Sequence, residues 1–188
     1  MTNSKRIFTA VAVAAIAAAG GLAAGHWWRG SAGNEDAQAA TPSVNAAPGA
    51  PVDALWAASF PGVDGKSHAL AAYKGKNTVV NFWASWCGPC VAEMPELVSL
   101  SHEYAKKDIH FVGIGVDSEQ NVKNFLKKVP VDYPIFVSGY TGADLARNFG
   151  NTAGALPFTV VIDASGKIRM TKLGQIHVDE LRRLLDTL

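Results

Sequence analysis

Two cysteines three positions apart, placed where a β-rich run gives way to a helical pattern, constrain this chain more than any other feature. Cys87 and Cys90 are its only cysteines in 188 residues, and they enclose Gly88-Pro89. Two cysteines scattered at random over this length would fall at that spacing about one time in a hundred. Residues 78–83 (TVVNFW) are β-branched and aromatic and predict a strand. Residues 91–104 predict a helix carrying Val91, Met94, Leu97, Val98 and Tyr104 on one side. The pair therefore stands at a helix N-terminus, where unpaired N–H groups and the positive end of the helix dipole favour a thiolate. The thiolate is the reactive form of cysteine. Pro89 suits the first helical turn, where its missing N–H needs no partner.

Three other uses of such a pair fit less well. A structural staple gains little from closing so short a loop. A zinc site needs four ligands, and neither a second CxxC nor a close His pair completes one. A c-type haem attachment needs His after the second cysteine, where Val91 stands. What remains is a reversible dithiol/disulfide.

The run WCGPC at residues 86–90 is the active-site motif of the thioredoxin superfamily, and FWASWCGPC resembles it across the preceding strand. The continuation VAEMP, with Glu93 three residues after Cys90 and Pro95 beyond, is similar to the membrane-tethered TlpA/ResA branch. The resemblance covers about residues 52–188. It implies an α/β thioredoxin fold: a central mixed β-sheet flanked by helices, an N-terminal β-hairpin extension, and a central βα insertion over residues 119–150.

Helix geometry and the resemblance agree on roles for the cysteines. Cys87, expected to be exposed at the helix start, is the nucleophile; Cys90, a turn further in, resolves the mixed disulfide. Leu156-Pro157-Phe158-Thr159 resembles the family's cis-proline segment, although by itself Pro157 reads as an ordinary loop proline. The resemblance implies that Leu156 and Pro157 border the substrate together with Trp86, Gly88 and Pro89. Thioredoxins carry a buried Asp on the strand before the motif, and the aligned position here is Asn81, which cannot titrate. On residue type alone Glu93 is a solvated helix glutamate. The resemblance instead makes it the acid that exchanges a proton with the resolving thiol, its pKa raised if it is buried.

The rest of the chain reads in order. Lys5 and Arg6 precede an uncharged run over residues 7–25, closed by His26-Trp27-Trp28-Arg29. That run approaches the ~20 residues needed to span a bilayer, and flanking cations and tryptophans suit an anchor whose N-terminus is cytoplasmic. Residues 1–29 are therefore expected to be an uncleaved inner-membrane anchor or, alternatively, a cleaved secretion signal. Either places the domain in a bacterial periplasm. Residues 30–51, rich in Ala, Gly, Pro and Asn, read as a flexible tether, and residues 52–188 as the folded domain. Within the domain, residues 52–72 predict a small hairpin, and 109–116, 133–138, 158–162 and 167–170 predict strands. Helices are expected over 119–129, 141–149 and 178–188. With a formal net charge of +1 and no basic stripe, the sequence offers nothing to nucleic acid.

The function these features predict is reduction of protein disulfides by the Cys87/Cys90 pair, with no metal and no cofactor beyond that redox-active disulfide. The resemblance implies clients such as the haem-site cysteines of apocytochrome c or the copper-site cysteines of oxidase subunits. It also implies an electron supply from a membrane thiol transporter of the DsbD/CcdA type. A DsbA-like disulfide donor would carry a His-containing pair instead of Gly-Pro. A copper-binding chaperone using the same thiols would be expected to add Met-rich or His-rich tracts, which are missing here.

Overall fold

Strand β3 (Asn77–Trp83) is the axis on which the rest is assembled. In the computed structural model, which describes residues 49–188, it lies at the centre of a five-stranded sheet. Strands β4 (Ile109–Gly115) and β5 (Ile135–Val137) extend the sheet in parallel on one side. Strands β6 (Phe158–Ile162) and β7 (Ile168–Leu173) extend it in antiparallel fashion on the other. The order is β5-β4-β3-β6-β7. A strand this central is covered on both faces, which explains why TVVNFW is continuously apolar apart from Thr78 and Asn81 rather than alternating.

Alternation still decides which face each residue serves. Val79 and Trp83 pack beneath α2 (Gly88–Tyr104), α3 (Glu119–Leu126) and α5 (Val178–Leu185). Val80 and Phe82 pack on the opposite side with α1 (Ala50–Ala57), a 3-10 turn at Leu70–Tyr73 and α4 (Thr141–Asn148). Helix α2 buries Cys90, Glu93, Met94, Leu97, Leu100 and Tyr104, whereas Val91 and Val98, expected on this stripe, are only half-buried; the buried set includes a carboxylate. Pro95 lies inside this helix on its exposed side. Ser118 caps α3, its Oγ accepting from Asn121 N–H at 3.2 Å.

Trp83 needs space that β4 supplies by having no side chains there. It pairs in register with Gly115, and a Cβ on Gly113 would come within 3.2 Å of Trp83 Nε1, 3.3 Å of Tyr133 Cε2 and still closer to Ile135 Cδ1. Two glycines in a central strand thus admit an indole immediately before the cysteine turn.

The N-terminal extension differs from its prediction. The hairpin is present as β1 (Ser59–Pro61) and β2 (Ser67–Ala69), but α1 precedes it and takes up Leu55–Ala57, which were read as part of a strand. The helix also includes Ala50 and Pro51, the end of the stretch read as tether. Pro51 sits in its first turn, and Val52, Leu55 and Trp56 are buried. A two-turn helix is marginal by itself and exists through this packing, which composition cannot reveal. Between β4 and β6, the segment expected as a βα insertion contributes α3, edge strand β5 and α4. The expected anchor or signal over residues 1–29 and the tether up to residue 48 lie outside the described residues. Among the described residues, no helix is long and apolar enough to cross a membrane.

Candidate active site

The chain leaves β3 at Trp83, turns through Ala84-Ser85-Trp86, and enters α2 with Cys87 as N-cap. The turn is closed by Cys87 N–H donating to Ala84 O at 3.2 Å. Cys87 and Cys90 are disulfide-bonded, with Cα atoms 5.3 Å apart. Cys87 Sγ also accepts from Cys90 N–H at 3.2 Å, so the helix's first turn directs an N–H at the sulfur that would carry the thiolate charge. Gly88 and Pro89 lie on the surface. Pro89, in the first turn, leaves no donor unsatisfied.

The two sulfurs are not equivalent. Cys90 is wholly buried, whereas Cys87 retains 6 % of its surface. Cys87 is less open than its place at a helix start led us to expect, because in the disulfide form it is part of the core cluster beneath α2. It is nevertheless the more accessible sulfur of the two, the order expected of a nucleophile at Cys87 and a resolver at Cys90. Trp86 is 69 % exposed, standing out beside the cysteine.

The proline loop arrives from the antiparallel side of the sheet. Phe82 pairs with Phe158, so Leu156-Pro157 lies at the end of β3 from which the cysteine turn departs. The Leu156-Pro157 peptide is cis. Pro157 is buried, and its carbonyl accepts from Gly174 N–H at 2.9 Å. Leu156 is half-buried and packs against the cluster that contains both cysteines. Sequence reasoning missed Asn151, which is buried and brackets this loop: Nδ2 donates to Ala155 O at 2.8 Å, and Oδ1 accepts from Ala155 N–H at 3.1 Å. An Asn after Gly150 was its only signal, shared by many turns.

Glu93 settles deep in the protein, with no exposed surface, one helical turn beyond Cys90. Its Oε1 accepts from Asn81 Nδ2 at 2.8 Å and its Oε2 from Ile176 N–H at 2.9 Å. Asn81 Nδ2 also donates to Thr159 Oγ1 at 3.1 Å, while Asn81 Oδ1 has no partner. Burial pushes the Glu93 carboxyl above its ordinary pKa; the Ile176 and Asn81 bonds oppose that rise, and Glu96 adds to it. Asn81 occupies the strand position where thioredoxins titrate an Asp, and here it orients a carboxyl delivered by the helix. A buried carboxyl one helical turn past Cys90 thus stands on α2, where the strand position itself carries an amide.

The profile of the redoxin family matches residues 37–186 of this sequence. The chain belongs to the redoxin family. Within it, the chain is TlpA/ResA-like, and its Cys87–Cys90 pair is the centre of a thiol-disulfide oxidoreductase on a thioredoxin fold. The sequence is 30% identical over 124 residues to the thiol-disulfide oxidoreductase ResA of Bacillus thuringiensis subsp. konkukian, covering 65% of this chain and 69% of that protein. Among solved structures, the thioredoxin-related protein of Neisseria meningitidis serogroup B superposes with a TM-score of 0.59 at 36% identity, covering 66% of this chain and 93% of that one. The DsbF homologue of Corynebacterium diphtheriae superposes at 0.60 with 30% identity, covering 70% and 83% respectively.

Proposed function

We propose that this redoxin is an inner-membrane-anchored periplasmic reductase of protein disulfides, needing no cofactor beyond its own sulfur pair. The observation that carries the reading is Glu93, buried one turn past Cys90 and held there by Asn81 and the Ile176 N–H. To reduce a client, the Cys87 thiolate attacks one sulfur of the client disulfide. A Cys87–client bond forms and the second client sulfur leaves as a thiolate with the electron pair. Cys90 then gives its thiol proton to Glu93 and attacks Cys87 Sγ, releasing the first client sulfur. The Cys87–Cys90 bond seen in the structure is the product, two electrons have passed to the client, and Glu93 returns its proton to a departing thiolate. A carboxyl whose pKa is raised by burial suits this exchange better than an ordinary surface glutamate would.

Gly88-Pro89 between the cysteines, shared with reducing thioredoxins, supports the same direction. The uncharged run and flanking tryptophans before residue 30 support an anchor, and the Ala-, Gly- and Pro-containing stretch between residue 30 and the start of α1 supports a tether to the domain. Re-reduction falls to a membrane thiol transporter of the DsbD/CcdA type. Clients with a paired-cysteine ligand site fit the chemistry: the haem-site cysteines of apocytochrome c or the copper-site cysteines of oxidase subunits. The test is the reduction potential of the full chain, equilibrated against dithiothreitol or glutathione buffers. A potential at or below about −230 mV is expected. A value near about −120 mV would make the pair a donor of disulfides and end the reductase reading.

A further inference from the structure

We propose that Asp117 is a positioning residue for Cys87, tying down the turn that delivers the nucleophile and placing a fixed negative charge behind it. By sequence Asp117-Ser118 reads as the cap of the helix that follows β4. In the structure it does more. Its Oδ2 accepts from Ser85 N–H at 3.0 Å and from Ser85 Oγ–H at 2.6 Å. Its Oδ1 accepts from Ser118 N–H at 2.7 Å and Asn121 Nδ2 at 2.8 Å. One nearly buried carboxylate thus joins the loop after β4 to the loop after β3.

The bonds fall at the place where they bear on the nucleophile. Val116 N–H donates to Trp83 O at 2.8 Å, so the two loops leave the sheet side by side. Ser85 is then fixed at both its backbone and its hydroxyl, and the next tie is Cys87 N–H to Ala84 O. Between these anchors only Trp86 projects into solvent. The turn that aims Cys87 is therefore held from the neighbouring strand's loop, through Ser85.

The charge has its own consequence. Burial favours the neutral acid at Asp117, but the bonds from Ser85, Asn121 and Ser118 outweigh it and hold the carboxyl below the usual range. It is an anion at neutral pH, bonded to a residue two positions from Cys87, which puts it on the order of 10 Å from that sulfur. A like charge at that range opposes the thiolate that the α2 N-terminus favours. The other acid near the pair, Glu93, lies under Cys90 on the buried side. Destabilising the thiolate weakens the reduced form relative to the disulfide, so Asp117 makes the pair more reducing. The proposal rests on the thiol-disulfide chemistry of the pair and holds whatever the client or compartment.

The test uses the reduced full chain at pH 7, with alkylation of Cys87 by iodoacetamide followed by peptide mass. Asp117→Asn keeps an oxygen for Ser85 and removes the charge. Alkylation should speed up about twofold, the Coulomb effect of unit charges about 10 Å apart in a mostly aqueous setting. The equilibrium with glutathione should move toward the dithiol by a similar factor. Ser85→Ala removes a hydroxyl whose dipole partly screens Oδ2 and leaves the charge, so alkylation should slow. Opposite signs distinguish a field acting on Cys87 from mere loosening of the turn, which would move both variants the same way. Unchanged alkylation in a folded Asp117→Asn, or changes of one sign in both variants, overturns the proposal. Should Asp117→Asn fail to fold, Ser85→Ala decides: slowed alkylation supports the proposal, and an unchanged or faster rate overturns it.

Discussion

Replacing Glu93 separates its chemical part from its structural one, because two substitutions leave different bonds behind. Glu93→Ala removes the acceptor for the buried Ile176 N–H, while Asn81 Nδ2 keeps Thr159 Oγ1. An orphaned buried donor costs about 1–3 kcal/mol, and the lost carboxyl leaves a void at a fully buried site. A net loss of about 3 kcal/mol follows. Glu93→Gln keeps the shape. Its amide oxygen can accept from Ile176 N–H, and its amide nitrogen can donate to Asn81 Oδ1, now unpartnered, once Asn81 turns over. Thr159 Oγ1 can then donate to the same Asn81 oxygen, and Asn81 Nδ2 takes over the unpartnered position that Oδ1 holds now.

The sign with pH follows from the raised pKa of Glu93. The folded protein holds this proton more tightly than the unfolded chain does. The stability it contributes is complete below the unfolded value, about 4.3, and is lost as pH rises through the higher folded value. Glu93→Gln stays neutral throughout, so its stability relative to the wild type should improve between pH 4 and pH 7. Urea unfolding of the oxidised protein at the two pH values measures this. Stopped-flow reduction of a model disulfide at pH 7 should show the resolving step slowed about tenfold or more in the same variant. A Glu93→Gln protein that loses more than about 2 kcal/mol at pH 7, or resolves at the wild-type rate, would refute the reasoning.

Two further outcomes test the geometry around the pair. Cys90→Ser should accumulate a mixed disulfide with a peptide substrate on a non-reducing gel, while Cys87→Ser should accumulate none, because Cys90 has no exposed surface; equal trapping by both would reverse the assigned roles. Gly113→Ala places a methyl against Ile135, Trp83 and Tyr133 and should lower stability by about 1–3 kcal/mol in urea, with an unchanged midpoint showing that the indole does not depend on this bare stretch of β4.

How much of this was legible beforehand depended on how far apart the cooperating residues lie in the chain. The turn from β3 into α2 and the β6–β7 hairpin were written locally: an apolar β-branched run, a proline in the first helical turn, an Asp163-Ala164-Ser165-Gly166 turn. Helix α1 was not, since Ala50 and Pro51 look like tether and the stabilising partners of Leu55 and Trp56 lie elsewhere in the fold. The Gly113 and Gly115 pair carried a signal that could have been used, as alternate glycines on a central strand announce a bulky neighbour.

The Glu93 site shows why the remainder was out of reach. Asn81 and Glu93 are 12 residues apart and were both singled out, one as a missing acid and the other as its replacement. What turns them into a single site comes from much further along the chain: Thr159 from β6, 78 residues beyond Asn81, and the Ile176 N–H, 83 residues beyond Glu93. The second of these is a backbone donor, which any residue except proline would supply, so no side-chain motif can encode it. The same holds for Asp117, whose aspartate is visible but whose partner is fixed only when β4 pairs with β3. In this domain the cysteines declare the reaction locally, while the groups proposed to govern their protonation are assembled by the sheet.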